Sequence, residues 1–449
     1  MSTHLGKQAV VVGAGMAGLT AARALADHFE RVIIIENDAL PSGATPRPGI
    51  PQAKHAHALL AGGQQALSAL FPGFEQDLAQ AGAVLLRLNS DIRFERPGYD
   101  PFPQRDLGLF MYSASRPLIE CTVRKQVAQH GNIEIRERCR AQEFVVTSDG
   151  AGVTAVRCEH SDGKNVDLPA DLVIDASGHA LLTLALLESL GQPPPEETLI
   201  GVDIGYATAI FEIPNDAPPD WKAVFTLPHP PHDTRAVFFF PAEGNRWIVT
   251  LSGRYADKPP DDEAGFFNHA RNLRTPTAYN AIQHAKRKSE IARFGFKASR
   301  RRHFERLGTF PRGLLPFGDS VCRFNPVYGQ GMSVAAQEAC LLRRLLGTQA
   351  AENDGLGALA STFFTEVQAI LETPWASAAI PDFIDPRTEG QRPPDLANIL
   401  KFSGALIKIA AEDPAVHKVL TEVQHLLKPQ SAYREPELAR RVQAVMAEG

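Results

Sequence analysis

The first forty residues leave this chain few ways to fold. Gln8 to Gly13 reads QAVVVG, the stretch from Ala14 to Phe29 is rich in Ala and Leu, and Arg31 to Glu36 reads RVIIIE. Runs of β-branched residues that lack polar alternation are strands covered on both faces, so a buried strand feeds a helix through a glycine turn and a second buried strand follows. The predicted unit is βαβ, the opening of an α/β fold. A length of 449 residues allows two or three domains of about 150 residues each.

Composition narrows the class. With 22% charged and 44% hydrophobic residues and a formal net charge of -5, the chain is neither a disordered polymer nor a generally basic nucleic-acid binder. Its basic runs, Lys286-Arg287-Lys288 and Arg300-Arg301-Arg302, are expected to be solvated faces. Five cysteines, Cys121, Cys139, Cys158, Cys322 and Cys340, are odd in number and show no close pair, which fits a reducing, cytoplasmic setting and neither a disulfide framework nor a zinc knuckle. The opening residues lack the basic region and cleavage site of a signal peptide, and apolar stretches such as Leu181 to Leu187 fall short of a membrane span.

Further along, Ala53 to Phe71 is predicted as one helix carrying His55 and His57 in its first turns, and Arg116 to His130 as another. Strands follow through NIEIRE, EFVVTSD and GVTAVRCEHSDG to DLVIDASG. Four strand-like runs between Leu199 and Tyr255 predict a second, largely antiparallel sheet, and residues 262–292 read as helical. A strand within Phe310 to Gly318 precedes a long apolar helix from Met332 to Leu346. After Trp375 comes a Pro/Gly-rich crossing, then an amphipathic helical tail, Leu396 to Leu427, expected to pack on the body.

Gly13, Gly15 and Gly18, with Ala17 among them, stand between strand and helix, and Glu36 ends the next strand. A tight turn of this kind lets backbone approach a pyrophosphate at the positive end of a helix, while the acid accepts hydrogen bonds from an adenosine ribose. Glu36 would repel a 2'-phosphate, which leaves FAD or NAD for this site. No HxxxH, HExxH or carboxylate cluster gives metal spacing, so no metal site is expected, and GxSxG is absent.

The opening, the DLVIDASG of Asp171 to Gly178, and GDSVCRFNPVYGQGMSVAAQEA from Gly318 to Ala339 together resemble the FAD-dependent monooxygenase superfamily of aromatic hydroxylases, squalene-type epoxidases and geranylgeranyl reductases. RPGIPQAKHAHALLAGG at 47–63, SRPLIECTVR at 115–124 and LGQPPPEETLIGVDIGYAT at 190–208 look most like bacterial FAD epoxidases of polyether and polyene biosynthesis. The resemblance covers nearly the whole chain. It implies an α/β fold: a Rossmann-type FAD-binding domain in segments 1–80, 113–185 and 301–370, a cavity-lining segment 81–112, an inserted mainly antiparallel sheet domain for substrate at 186–300, and a C-terminal helical region at 371–449.

By the same resemblance Asp319, after Gly318, holds the flavin ribityl chain, and Pro326 to Met332, with Gly329, Gln330 and Gly331, wraps the isoalloxazine. The helix beginning near Ser333 aims its N-terminus at the flavin pyrimidine. Arg116 reaches the pyrophosphate or ribityl region, and Arg47 lies near the flavin. Asp175 is expected to support the cofactor-side loop. Relatives carry arginines after the aspartate strand, whereas this chain reads Ala176-Ser177-Gly178-His179, which leaves direct reduction by NADH or NADPH, or through a separate flavin reductase, as alternatives.

His55 and His57 are the candidate catalytic residues, as acid, base or substrate orienter, against capping or packing. The aromatics Phe238, Phe239, Phe240, Trp247 and Tyr255 are expected in the core, some of them lining a cavity above the flavin. The implied reaction transfers one atom of O2 to an apolar alkene or aromatic ring through a C4a-(hydro)peroxyflavin, by a monomer or homodimer. The alternatives are a geranylgeranyl reductase-type reductase or dehydrogenase, a flavin halogenase, whose Trp-x-Trp-x-Ile-Pro signature is missing, and a non-catalytic flavin or prenyl binder.

Overall fold

Strand Gly6–Val12 lies at the centre of a five-stranded parallel sheet, flanked in order by Leu314–Pro316, Leu172–Asp175, itself, Phe29–Ile35 and Ile133–Arg136. Val10, Val11, Ile33, Ile34, Val173 and Ile174 are almost wholly buried, as residues covered on both faces must be. This computed structural model describes residues 4–350 and 355–448; Met1–Thr3, residues 351–354 and Gly449, which include the ends of the first and last expected segments, lie outside the described residues.

Helix Met16–Ala26 leaves the first strand through Gly13, whose φ of +101° favours glycine. Gly18 is needed for a different reason. A Cβ there would stand 1.8 Å from the Gly13 carbonyl oxygen, so only glycine lets the helix close on its own turn. On the same side of the sheet lie helices Ala61–Leu70, Arg116–Val127 and Gly331–Gln349, and their apolar faces merge into the main core with Leu19, Leu67, Ile119, Phe317 and Leu342. A three-stranded antiparallel sheet, Cys139–Val146, Val153–His160 and Asn165–Pro169, covers the opposite face.

The inserted domain is a seven-stranded sheet, ordered Cys322–Arg323, Ala292–His303, Glu196–Glu212, Arg246–Arg254, Ala236–Ala242, Ala223–Thr226 and Ile92–Glu95. All pairings are antiparallel except the last. This is the expected Rossmann-type domain with an inserted, mainly antiparallel sheet, completed by helices Leu396–Glu412, Pro414–Gln424 and Pro436–Glu448, which pack together around Phe102. No helix among the described residues is long and apolar enough to cross a membrane.

Several local expectations need correction. Residues 262–292 hold two short helices, Glu263–Arg271 and Thr277–Ile282, and the twelve-residue strand Ala292–His303 that follows was hidden by its arginines. Within it Arg302 is buried, held by Glu197 at 2.9 Å, so the run is not a solvated face. The helix Leu359–Asp382 continues through Pro374 and past Trp375, where sequence pattern favours a break. Phe239 and Trp247 form a core with Trp221 under the two short helices, and Phe240 packs against Leu86 and Met111.

Gly18→Ala is expected to destabilise the protein by about 1–3 kcal/mol or more, the usual cost of forcing atoms into a filled site. A lowered urea midpoint at unchanged slope would register it.

Candidate functional site

A cleft of about 160 Å³, partly open to solvent, runs between the glycine turn and the loop Pro326–Gly331. Its chemistry begins with two helix ends. Helix Met16–Ala26 starts at Gly15 and helix Gly331–Gln349 at Gln330; neither has a side-chain cap or an acid in its first turn. Unpaired N–H groups and the positive ends of both helix dipoles therefore face the same space. A Cβ on Gly15 would meet nothing within 4 Å, so the backbone here is bare towards the cleft. Arg116 Nε and Gln330 Oε1, both on residues that line the cleft, are buried without a hydrogen-bond partner among the described residues. The helix-end amides and Arg116 suit an anionic group.

Of the sequence-predicted residues, Gly15, Ala17, Arg116, Asp319, Pro326, Gly329, Gln330, Gly331 and Met332 all line this cleft, as does His57. Gly13 and Gly18 shape the turn beneath it. Gly318 sits behind Ala17, its N–H donating to Glu338 Oε2 at 2.8 Å. Gln52, Arg323, Phe324 and Asn325 also line the cleft, although their motifs gave them no site role.

Glu36 and Arg47 stand apart. Glu36 Oε2 accepts the Ala14 N–H at 2.9 Å and pairs with Arg47 Nη1 at 2.9 Å. Arg47 also reaches Asp38 at 3.1 Å and Glu120 at 3.1 Å, while Arg116 pairs with Glu120 at 3.0 Å. Arg47 and Arg116 together line a much smaller pocket beside Glu120.

Two acids lie beneath the cleft. Burial pushes the Asp319 carboxyl above the usual range against the pull of Arg323 and Arg116. Glu338, fully buried, is pushed up to about 8 by desolvation, helped by Asp319 and opposed by the Gly318 N–H. Asp175 takes the supporting role expected of it: it accepts from Ser177 Oγ at 2.6 Å and Thr183 Oγ1 at 2.5 Å.

The histidines are not on a helix. A 3-10 turn covers Pro51–Lys54, helix Ala61–Leu70 begins later, and an irregular stretch carries both side chains. A hydroxyl chain fixes it: Ala56 N–H donates to Thr250 Oγ1 at 2.9 Å, Thr250 and Thr208 share a hydrogen bond of 2.7 Å, and Thr208 meets His55 Nδ1 at 2.7 Å. His57 Nδ1–H donates to the His55 carbonyl at 2.9 Å. Burial and then Arg116 pull His57 down to about 3, so at neutral pH it is uncharged and its Nε2 is an acceptor. Burial pulls His55 down to about 4.

One buried network had no sequence signature. Asp382, wholly inaccessible, accepts from Tyr328 at 2.7 Å and Asn325 at 3.2 Å and pairs with Arg254; Asn325 in turn accepts from Tyr206 at 3.1 Å. It ties the loop bordering the cleft to the inserted sheet and to the end of a late helix. None of Phe238, Phe239, Phe240, Trp247 and Tyr255 borders this cleft. Away from it, Cys139, Cys158 and His160 bring their ligating atoms within 4.8 Å of one another across two strands, a proximity the sequence spacing concealed. Burial and Cys158 push the Cys139 thiol up to about 12, and both cysteines pack as apolar core residues.

Residues 8–252 match the family described as FAD dependent oxidoreductase. Protein Rv3254 of Mycobacterium tuberculosis is 33% identical over 352 residues, covering 75% of this chain and 72% of its own. Squalene epoxidase 4 of Arabidopsis thaliana is 22% identical over 348 residues, 75% of this chain and 61% of that protein. Among solved structures, the flavin-dependent brominase Bmp2 superposes with a TM-score of 0.70 at 13% identity over 99% of this chain and 98% of its own, a likeness of fold.

Two outcomes follow from the buried acids. Asp382→Ala strands the Arg254 charge and should cost about 3–5 kcal/mol in chemical denaturation. Because the folded state holds the Glu338 proton up to about pH 8 while the unfolded chain releases it near 4.5, Glu338 subtracts stability progressively between those values. Glu338→Gln should therefore match wild type near pH 5 and melt increasingly higher than it as the pH rises to 8.

Proposed function

The chain belongs to the FAD dependent oxidoreductases, and on that premise we propose that it is a monooxygenase that transfers one oxygen atom from O2 to an apolar alkene or electron-rich ring, epoxidation being the first reaction to test. FAD is the cofactor that this family and fold bring with them. The observation that carries the reading is the pair of uncapped helix N-termini facing one cleft. One would hold the pyrophosphate, with Arg116 and the Gly13–Gly18 turn. The other would face the flavin ring, with Gly329, Gln330, Gly331 and Met332 along it, and Glu36 would hold the adenosine ribose.

Bound there, FAD supplies oxygen activation and electron storage. The protein's own part is positioning and charge. Amides at the start of helix Gly331–Gln349 stabilise negative charge developing on a ligand edge, a role that a preorganised donor fulfils without reorganising at the moment of reaction. His57, neutral and with Nε2 free to accept, orients a substrate hydroxyl. The Thr250–Thr208–His55 chain keeps that segment in place from the inserted sheet. Electron-rich substrates of low polarity need little acid–base assistance, which suits a site with one neutral histidine.

NADH or NADPH is the proposed electron source, either directly or through a separate flavin reductase. The test uses the FAD-loaded protein with each nucleotide, styrene and a methoxyphenol as probes, and isotopically labelled dioxygen. One labelled oxygen atom in the product, with substrate-stimulated O2 consumption, is the expected result. Alkene reduction without O2 uptake would establish a reductase, bromide-dependent ring bromination a halogenase, and flavin retention with no turnover under any donor a binder; each would overturn the proposal. His57→Phe should lower kcat/KM for the phenol about tenfold, the worth of one lost orienting hydrogen bond, and leave the styrene value within a few-fold.

A further inference from the structure

One face of the inserted sheet is closed and the other is not. Across five strands, Thr208, Thr250, Phe238, Phe225 and Phe94 stand in a single register row, so their side chains share a face. The rings touch in sequence, Phe94 with Phe225 at 5.7 Å and Phe225 with Phe238 at 5.9 Å. All three are only partly buried, whereas Phe239 and Val249, on the opposite face, are wholly buried beneath the two short helices. The row begins at the cleft: Thr208 and Thr250 hold His55 and the Ala56 N–H, and the next residues, His57 and Ala58, line it. It ends at Arg96, whose guanidinium lies 6.0 Å from the Phe94 ring centre and 5.7 Å from that of Phe102. Helix Leu396–Glu412 runs between the same two ends. Leu396 packs on the cluster that Tyr206, Phe294 and Val327 join, while Leu406 and Ile409 pack with Phe102 and Phe94.

Arg96 is a cation among rings. Among the described residues no carboxylate pairs with it, and burial pulls its guanidinium down to about 10, opposed by the Tyr99 phenol. Its basic neighbours do not answer it. Arg105 donates to the Ala410 carbonyl at 2.9 Å, and His417, pulled down to about 4 by burial and then by Arg105 and Arg96, is neutral. Contacts with two ring faces account for where the Arg96 side chain lies, yet they leave its planar fork of N–H donors without an acceptor.

We propose that Arg96 anchors a carboxylate on the substrate and that the row from Phe94 to Thr250 is the floor beneath its apolar body. The substrate class is then a long apolar acid, which reaches the cleft with the end remote from its carboxylate. Three strand steps from Phe94 to Thr250 span about 14 Å, the length of an extended chain of about a dozen carbons joined by single bonds of about 1.5 Å. A charge-assisted bond to a guanidinium in apolar surroundings favours the acid over a neutral analogue of the same shape. The inference rests on the reading of the cleft as the place of oxygen transfer, and names what is brought to it.

The experiment titrates two probes into the FAD-loaded protein by calorimetry: undecylenate, an unbranched acid with a terminal alkene, and its uncharged methyl ester. Wild type should bind the acid about tenfold more tightly than the ester, the worth of one hydrogen bond to a charged group. Arg96→Gln should bring the acid to the affinity of the ester and leave the ester's own affinity unchanged, which also shows that the variant is folded. Phe225→Leu should weaken both probes by the same factor. An Arg96 that only packs between rings would lower the melting temperature of Arg96→Gln and leave the acid-to-ester ratio as in wild type. That result overturns the proposal, as does equal affinity of wild type for the two probes, or binding of neither. Acid-selective binding that Arg96→Gln abolishes, with no labelled oxygen in any product, would overturn the monooxygenase reading and leave the acid site standing.

Discussion

Everything in the cleft depends on one helix lying against another. Met16–Ala26 and Gly331–Gln349 come from opposite ends of the chain, yet Thr20 Oγ1 comes to 3.5 Å from the Ala335 carbonyl, and Ala17 fills the space where a side chain on Gly318 would stand. Their start points are thereby brought to the same opening, and two dipoles that would separately be weak act on one volume. Leaving both ends uncapped forgoes about 1 kcal/mol apiece of ordinary capping stabilisation. A sequence under selection for stability alone would place Ser, Thr or Asp there, and this one places Gly15 and Gln330.

The βαβ opening was legible because a turn that admits only glycine and strands that admit only apolar residues leave a local imprint. Pro326–Met332 was picked out by the resemblance instead, and there Asn325 accepts the Val327 N–H to start the turn. Less legible were features whose cause lies far away in sequence. The strand Ala292–His303 looks polar because its arginines are answered by Glu197 and the Ser320 carbonyl, and those partners can be known only once the sheet is assembled. His55 and His57 sit in a helical-looking stretch, but two threonines from distant strands hold that stretch out of helix. Glu36 was singled out by its spacing from the glycines and Arg47 by the resemblance, while their direct pairing was not, since it depends on the path of an irregular loop.

The Asp382 network shows why some functional architecture has no motif. Its members come from the inserted sheet, the cleft loop and a helix near the far end of the chain, and each makes sense only through the others. A buried carboxylate is tolerable when its lone pairs are filled, and here tyrosine, asparagine and arginine fill them. Fully satisfied polar clusters of this kind hold their members in one arrangement, and the loop they fix is the one bordering the cleft.

The distance along the chain between the two helices also orders events at the ribosome. The glycine turn emerges early, but the partner that completes its opening follows about three hundred residues later, and Gly62, which donates to the His425 carbonyl at 2.8 Å, waits longer still. At common elongation rates of about 5–20 residues per second, the half-built cleft is exposed for a quarter of a minute or more. Completion of the cleft is thus a late act of biosynthesis, and the growing cell meets this protein first as a glycine turn without its opposite wall.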